Sequence, residues 1–209
     1  MKFEIVVVGT STGGLKALQT LLSGLRAEFS LPVVVVQHRA KDPGDSGNLA
    51  EFLNQFSSLP VSEPEDKEPL RPGHVYLAPH DYHLLVESGC FALSTDPPVG
   101  FARPSIDVLF ESAADAFQRR AVGVILTGAN RDGSRGLASI KSRGGLTIVE
   151  EPASAERREM PDAAIAQAAA DRILPLPEIA PFLNKLNGPQ QARDPFERRV
   201  AETAIHYGS

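Results

Sequence analysis

Ile5-Val6-Val7-Val8-Gly9-Thr10-Ser11-Thr12-Gly13-Gly14 is the stretch that decides the fold. An unalternating β-branched run that breaks into a glycine-rich turn reads as a strand covered on both faces and then a sharp strand-to-helix turn. Beyond it Leu15, Leu18, Leu21, Leu22 and Leu25 recur at helical spacing over 13–25, and a second unbroken apolar run follows at 33–36. Strand, helix and strand in that order form a βαβ unit with a right-handed crossover, the building block of a doubly wound sheet. A third apolar run, at 122–126, belongs to the same sheet. Shorter strands are expected at 74–77, 83–86, 91–94 and 146–150, and helices at 47–56, 105–117, 133–143 and 161–170. The fold class is therefore α/β: a doubly wound, mostly parallel, Rossmann-like three-layer sheet that carries an antiparallel hairpin in its middle section.

The chain has 209 residues, enough for one sizeable α/β domain and too few for two with independent cores. Asn187-Gly188-Pro189 breaks the chain, so the domain is expected over 1–186 and a charged tail over 187–209. Within that tail, 195–205 has Phe196, Val200, Ala204 and Ile205 on one side of a possible short amphipathic helix. Net charge is −5 with Lys and Arg scattered singly or in isolated pairs, so no basic stripe is available to nucleic acid. The apolar run at the N-terminus is far too short to span a bilayer, so membrane insertion is not expected. Cys90 is the single cysteine, which excludes an internal disulfide and suits a reducing cytoplasm. It sits in Ser88-Gly89-Cys90, a hairpin turn entering a strand, and not in the setting of a nucleophile.

Three polar motifs follow the three long strands. Ser11 lies in the first glycine turn, Gln37-His38 closes the second strand, and Thr127-Gly128-Ala129-Asn130-Arg131-Asp132-Gly133 follows the third. Parallel strands end on one edge of their sheet, so all three motifs meet where open α/β folds place their sites. Taken singly, the glycine turn is as readily a phosphate cradle, His38 a hydrogen-bonded strand end, and Asp132 a turn or helix cap. Together they supply a hydroxyl nucleophile, a proton acceptor and a carboxylate to orient the imidazole. A nucleotide- or phosphate-binding module is the main alternative; against it, the turn lacks G-x-G-x-x-G spacing and a P-loop lysine. No cofactor is implied. His80 and His83 lack an obvious third ligand, so no metal is expected. Ser105 reads as a helix cap, and Arg103 as a candidate substrate contact.

Over roughly residues 3–185 the sequence resembles the catalytic domain of the chemotaxis protein-glutamate methylesterases, the CheB family. The resemblance rests on GTSTGG, VVVVQH and VILTGANRDGSRG, supported by PGHVYLAPHDYHLLV, RPSIDVLFESAA and EMPDAAI in the same order. It implies that Ser11 is the nucleophile, Thr12 lies at the oxyanion site, His38 is the general base and Asp132 orients His38. It implies a substrate as well: glutamyl methyl esters on methyl-accepting chemotaxis receptors, with receptor glutamines as possible deamidation targets. The aspartate loop departs from the usual Gly-Met-Gly pattern, with Ala129 for the methionine and Asn130 for the second glycine, which affects substrate fit at the oxyanion loop. Usual family members carry an N-terminal phosphoacceptor domain, whereas this chain begins at the first catalytic strand. Constitutive activity or control by a separate regulatory protein is the resulting expectation. An inactive receptor-binding scaffold is a further alternative, set against the presence of all three triad residues.

Overall fold

The computed structural model describes residues 2–38, 49–168 and 170–186. Seven parallel strands form the main sheet in the order β3-β4-β2-β1-β7-β8-β9. They are β1 (Ile5–Thr10), β2 (Val33–Gln37), β3 (Val61–Ser62), β4 (Val75–Leu77), β7 (Ala121–Ile125), β8 (Leu146–Glu150) and β9 (Arg172–Leu174). The chain winds outward from β1 through β2 to one rim, then returns to pair β7 with the other side of β1 and winds out to β9. The winding therefore reverses between β1 and β7, and the loops after these strands flank the crevice where such sheets hold their sites.

Side-chain alternation explains why the central strands are apolar without interruption. Val6 and Val8 of β1 face the core beneath α1 (Gly14–Gly24), α2 (Leu49–Asn54) and α6 (Leu176–Leu186). Ile5 and Val7 face the opposite core, with α3 (Ile106–Phe117), α4 (Ser134–Ser142) and α5 (Glu159–Ala168). Each side chain buried in this way contributes about 1.5–3 kcal/mol relative to exposure, so both faces resist polar substitution. Of the leucines expected on the core side of α1, Leu18, Leu21 and Leu22 are buried, whereas Leu15 is 44% exposed. The expected start of the second helix at Gly47, and the tail helix over 195–205, lie outside the described residues.

The expected hairpin is present as β5 (His83–Val86) and β6 (Phe91–Ser94), but it forms its own two-stranded sheet. It lies on α3, tied there by the Val86 N–H donating to Ser112 Oγ at 3.0 Å. Among the strands and α-helices, three were not expected from the sequence. β3 has two residues and β9 three, too short for a periodic signal. α6 has Pro181 inside it, a residue that ordinarily ends a helix. Burial of Ile179, Ala180 and Leu183 beside α1 holds it in place, with Asn184 Nδ2 donating to Gly24 O at 2.8 Å. Among the described residues no helix is long and apolar enough to cross a membrane.

Candidate active site

The turn after β1 is built around Gly13, whose φ of 81° lies in the left-handed region that a side chain resists. That geometry turns the chain into α1 within three residues of the strand and leaves Ser11 on the wall of a cavity of about 560 Å³. The Ser11 N–H donates to Thr127 O and the His38 N–H to Thr10 O, both at 3.0 Å, so the ends of β1, β2 and β7 are laced together. Gln37 tightens this junction: its Nε2 donates to Ser11 O at 2.9 Å and to His38 O at 2.7 Å. Thr127 is a third brace. Its N–H donates to the buried Glu150 carboxylate at 2.8 Å, and its hydroxyl faces Thr12 O at 3.0 Å and Arg157 O at 3.2 Å.

Asp132 is 8% exposed and its carboxylate gathers donors from two loops and a helix. Oδ2 accepts from His38 Nε2 at 2.8 Å and from the Ile106 N–H at 2.7 Å. Oδ1 accepts from Ser105 Oγ at 2.9 Å and from the Asp107 N–H at 3.0 Å. Ser105 does occupy the N-cap position of α3, but its hydroxyl makes no cap bond to the helix; Asp132 caps α3 from the neighbouring loop. Burial pushes the Asp132 carboxyl up, yet the bonds from His38, Asp107 and Ile106 outweigh it and hold the group below the ordinary aspartate value. These contacts hold the Asp132 carboxylate against His38 Nε2.

The other imidazole nitrogen faces Asn130, not the Ser11 hydroxyl: Asn130 Nδ2 lies 3.2 Å from His38 Nδ1. Asn130 Oδ1 accepts the Asp132 N–H at 3.1 Å, an Asx turn inside the loop. Ser11, Thr12, His38, Phe101 and Asn130 share the cavity wall, whereas Ala129 is exposed and stands outside it. Arg103 lines the same cavity, but its guanidinium donates to Asp81 Oδ1 at 2.8 Å and to Thr95 O at 2.9 Å. It braces the wall. His83 is 1% exposed and packed: Nε2 meets Pro97 O at 3.2 Å and Nδ1 accepts the Ser105 N–H at 3.2 Å. Among the described residues no group of three or more His, Cys, Asp or Glu is placed to hold a metal.

A family profile described as CheB methylesterase matches residues 6–183, which include all three loops of the site. The chain belongs to the CheB methylesterase family. A relative from Leptospira interrogans is 42% identical over 188 residues, which are 90% of this chain and 96% of that protein. A relative from Anaeromyxobacter dehalogenans, named protein-glutamate methylesterase/protein-glutamine glutaminase 2, is 44% identical over 185 residues, 88% of this chain and 54% of that protein. The crystal structure of the Thermotoga maritima CheB methylesterase catalytic domain superposes with a TM-score of 0.83 at 36% identity, covering 89% of this chain and all of that one. Membership of the CheB family accounts for the fold; the braces from Gln37, Thr127 and Glu150 went unread in the sequence. Gln37 and Glu150 each left one signal, a polar residue directly after an apolar run in its strand.

Proposed function

We propose that this chain is a serine hydrolase that demethylates glutamyl methyl esters on methyl-accepting chemotaxis receptors in the cytoplasm. The observation that carries the proposal is the His38–Asp132 pair: a buried carboxylate fixes one imidazole nitrogen at 2.8 Å, and the imidazole and Ser11 open onto one cavity. In the reaction, Ser11 Oγ bonds to the ester carbonyl carbon and its proton passes to His38 Nδ1. Collapse of the tetrahedral adduct breaks the bond to methoxide, which takes that proton and leaves as methanol. Water then attacks the acyl-enzyme with the same base and releases the glutamate and the serine hydroxyl.

Charge builds on the carbonyl oxygen, and Thr12 is the first donor for it. Its N–H finds no acceptor among the described residues and lies on the cavity wall beside Ser11. The Gly128 N–H is already given to Arg157 O at 3.0 Å and Ala129 stands outside the cavity wall, so a second donor from the aspartate loop falls to the Asn130 N–H. One such donor is worth about 2.7–4 kcal/mol in studied hydrolases. Arg103 acts as wall. Deamidation of receptor glutamines is a second reading, supported by the glutaminase in the Anaeromyxobacter relative's name; it proceeds through the same acyl-enzyme with ammonia leaving.

Methanol release from methylated receptor fragments tests the proposal, comparing the wild-type chain with Ser11→Ala. A fall of about 10⁴-fold or more in a folded variant is expected. A well-folded wild type that releases neither methanol nor ammonia overturns it.

A further inference from the structure

The contact between Asn130 and His38 has a chemical consequence that rests on the serine-hydrolase reading. The carboxamide's orientation is fixed by its neighbour: Oδ1 accepts the Asp132 N–H at 3.1 Å, so the donor end, Nδ2, must face the imidazole. A donor 3.2 Å from Nδ1 needs a lone pair there, which places the ring proton on Nε2, where Asp132 Oδ2 accepts it at 2.8 Å. Both contacts therefore select one tautomer. They also fill the lone pair that has to take the Ser11 proton. We propose that Asn130 is a positioning residue that holds His38 Nδ1 while the cavity is empty and releases it to the Ser11 hydroxyl when substrate seats.

The geometry suits a latch. Asn130 lies on the cavity wall with Ser11 and His38, so a seated substrate reaches the carboxamide directly. The Asn130–His38 bond is exposed, and a neutral hydrogen bond in that setting shifts an equilibrium by roughly three- to tenfold, enough to mask a base and little enough to be displaced by a ligand. The Asx bond to the Asp132 N–H keeps the amide in reach after release.

Two variants of the full chain separate the latch from the loop. In Asn130→Ser the hydroxyl still accepts the Asp132 N–H as a serine turn does, but it is too short to reach Nδ1. In Asn130→Asp the turn also survives, while a carboxylate replaces the donor opposite Nδ1 and favours a proton on that nitrogen. The first measurement is the imidazole ¹⁵N spectrum: in Asn130→Ser the His38 Nδ1 resonance moves toward that of a free, unprotonated nitrogen. The second is labelling by a fluorophosphonate, in which Ser11 Oγ bonds to phosphorus, fluoride leaves and the hydroxyl proton goes to Nδ1. Labelling quickens roughly three- to tenfold in Asn130→Ser and slows in Asn130→Asp, opposite directions that a merely structural role does not produce. An unmoved Nδ1 resonance, or slower labelling in a folded Asn130→Ser, overturns the proposal. Ser11→Ala runs alongside: labelling that persists there removes Ser11 as the nucleophile and the release step with it, whereas the spectrum tests the Asn130 contact without turnover.

Discussion

Asp132→Asn puts the double duty of one carboxylate to the test. The carboxylate accepts from Ser105 Oγ and the Asp107 N–H on Oδ1, and from His38 Nε2 and the Ile106 N–H on Oδ2. An amide has one acceptor oxygen. With that oxygen facing Ser105 and Asp107, its nitrogen meets the Ile106 N–H, and a buried donor left unmatched costs about 1–3 kcal/mol. Removing the charge from the start of α3 adds about 0.3–1 kcal/mol, so the folded state should weaken by about 1–4 kcal/mol at neutral pH. The new Nδ2 also donates to His38 Nε2, which forces the ring proton onto Nδ1, the wrong side for a base; methanol release should fall about 10⁴-fold. The pH dependence has a definite sign. The folded carboxyl titrates below its ordinary value, so its contribution is complete above the unfolded value of about 3.9 and is lost as pH falls through the lower folded value. Urea unfolding at pH 7, 5 and 3 reads the gap between wild type and variant, which should be constant down to about pH 5 and narrow below about pH 4. A gap that widens on acidification, or a variant within tenfold of wild-type turnover, would refute the reasoning.

Gln37→Leu strips the donor from Ser11 O and His38 O, but it also removes Oε1, a buried oxygen with no hydrogen-bond partner. The two effects partly offset, so urea stability should drop by about 1–2 kcal/mol with slower methanol release; a variant as stable and active as wild type contradicts the brace. Glu150→Gln can keep both bonds, accepting from the Thr127 N–H and donating to Ser154 Oγ, while relieving a carboxyl that burial pushes above its ordinary value. A raised folded pKa lowers stability as pH rises through it, so the Gln variant should equal or exceed wild type in melting temperature at pH 7, and a clear loss there disproves the assignment of a desolvated carboxylate. Phe101 is fully exposed at φ 67°, a conformation that costs a side-chain-bearing residue about 1–2 kcal/mol. Phe101→Gly should therefore raise the melting temperature by about 2–4 °C, and a lower one contradicts the strain assigned to this position.

The fold and the meeting of the three polar loops at one sheet edge were legible for a common reason. Strands buried on both faces cannot alternate, so 5–8, 33–36 and 122–126 declared a parallel sheet, and parallel strands bring whatever follows them to one edge. Elements held by context alone were not legible. α6 violates helix propensity at Pro181 and survives through burial against α1, and β9 carries the exposed Arg172 and Ile173 on a rim that makes no periodic demand. Within the site, Asp132 was readable as a partner of His38 but not as the cap of α3, since its further donors come from residues 105–107. Asn130 was expected at the oxyanion loop; that its side chain reaches His38 depends on how two loops 92 residues apart approach one another. Arg103 lines the cavity as a candidate substrate contact would, but its partners there, Asp81 and the Thr95 carbonyl, carried no sequence signal.

The two rims of the main sheet bear on how copies of this chain meet. A free strand edge is a template for another backbone, and long flat ones invite aggregation or strand exchange. Here β3 presents only Val61 and Ser62, bounded by Pro60 and Pro64, and β9 presents three residues between Asp171 and Pro175 with a charged arginine among them. Neither offers a run of backbone donors and acceptors on which a second chain could build a sheet. Association between copies through either rim of the main sheet must therefore rely on side chains, which leaves affinity and specificity there open to adjustment by point substitution without disturbing the sheet itself.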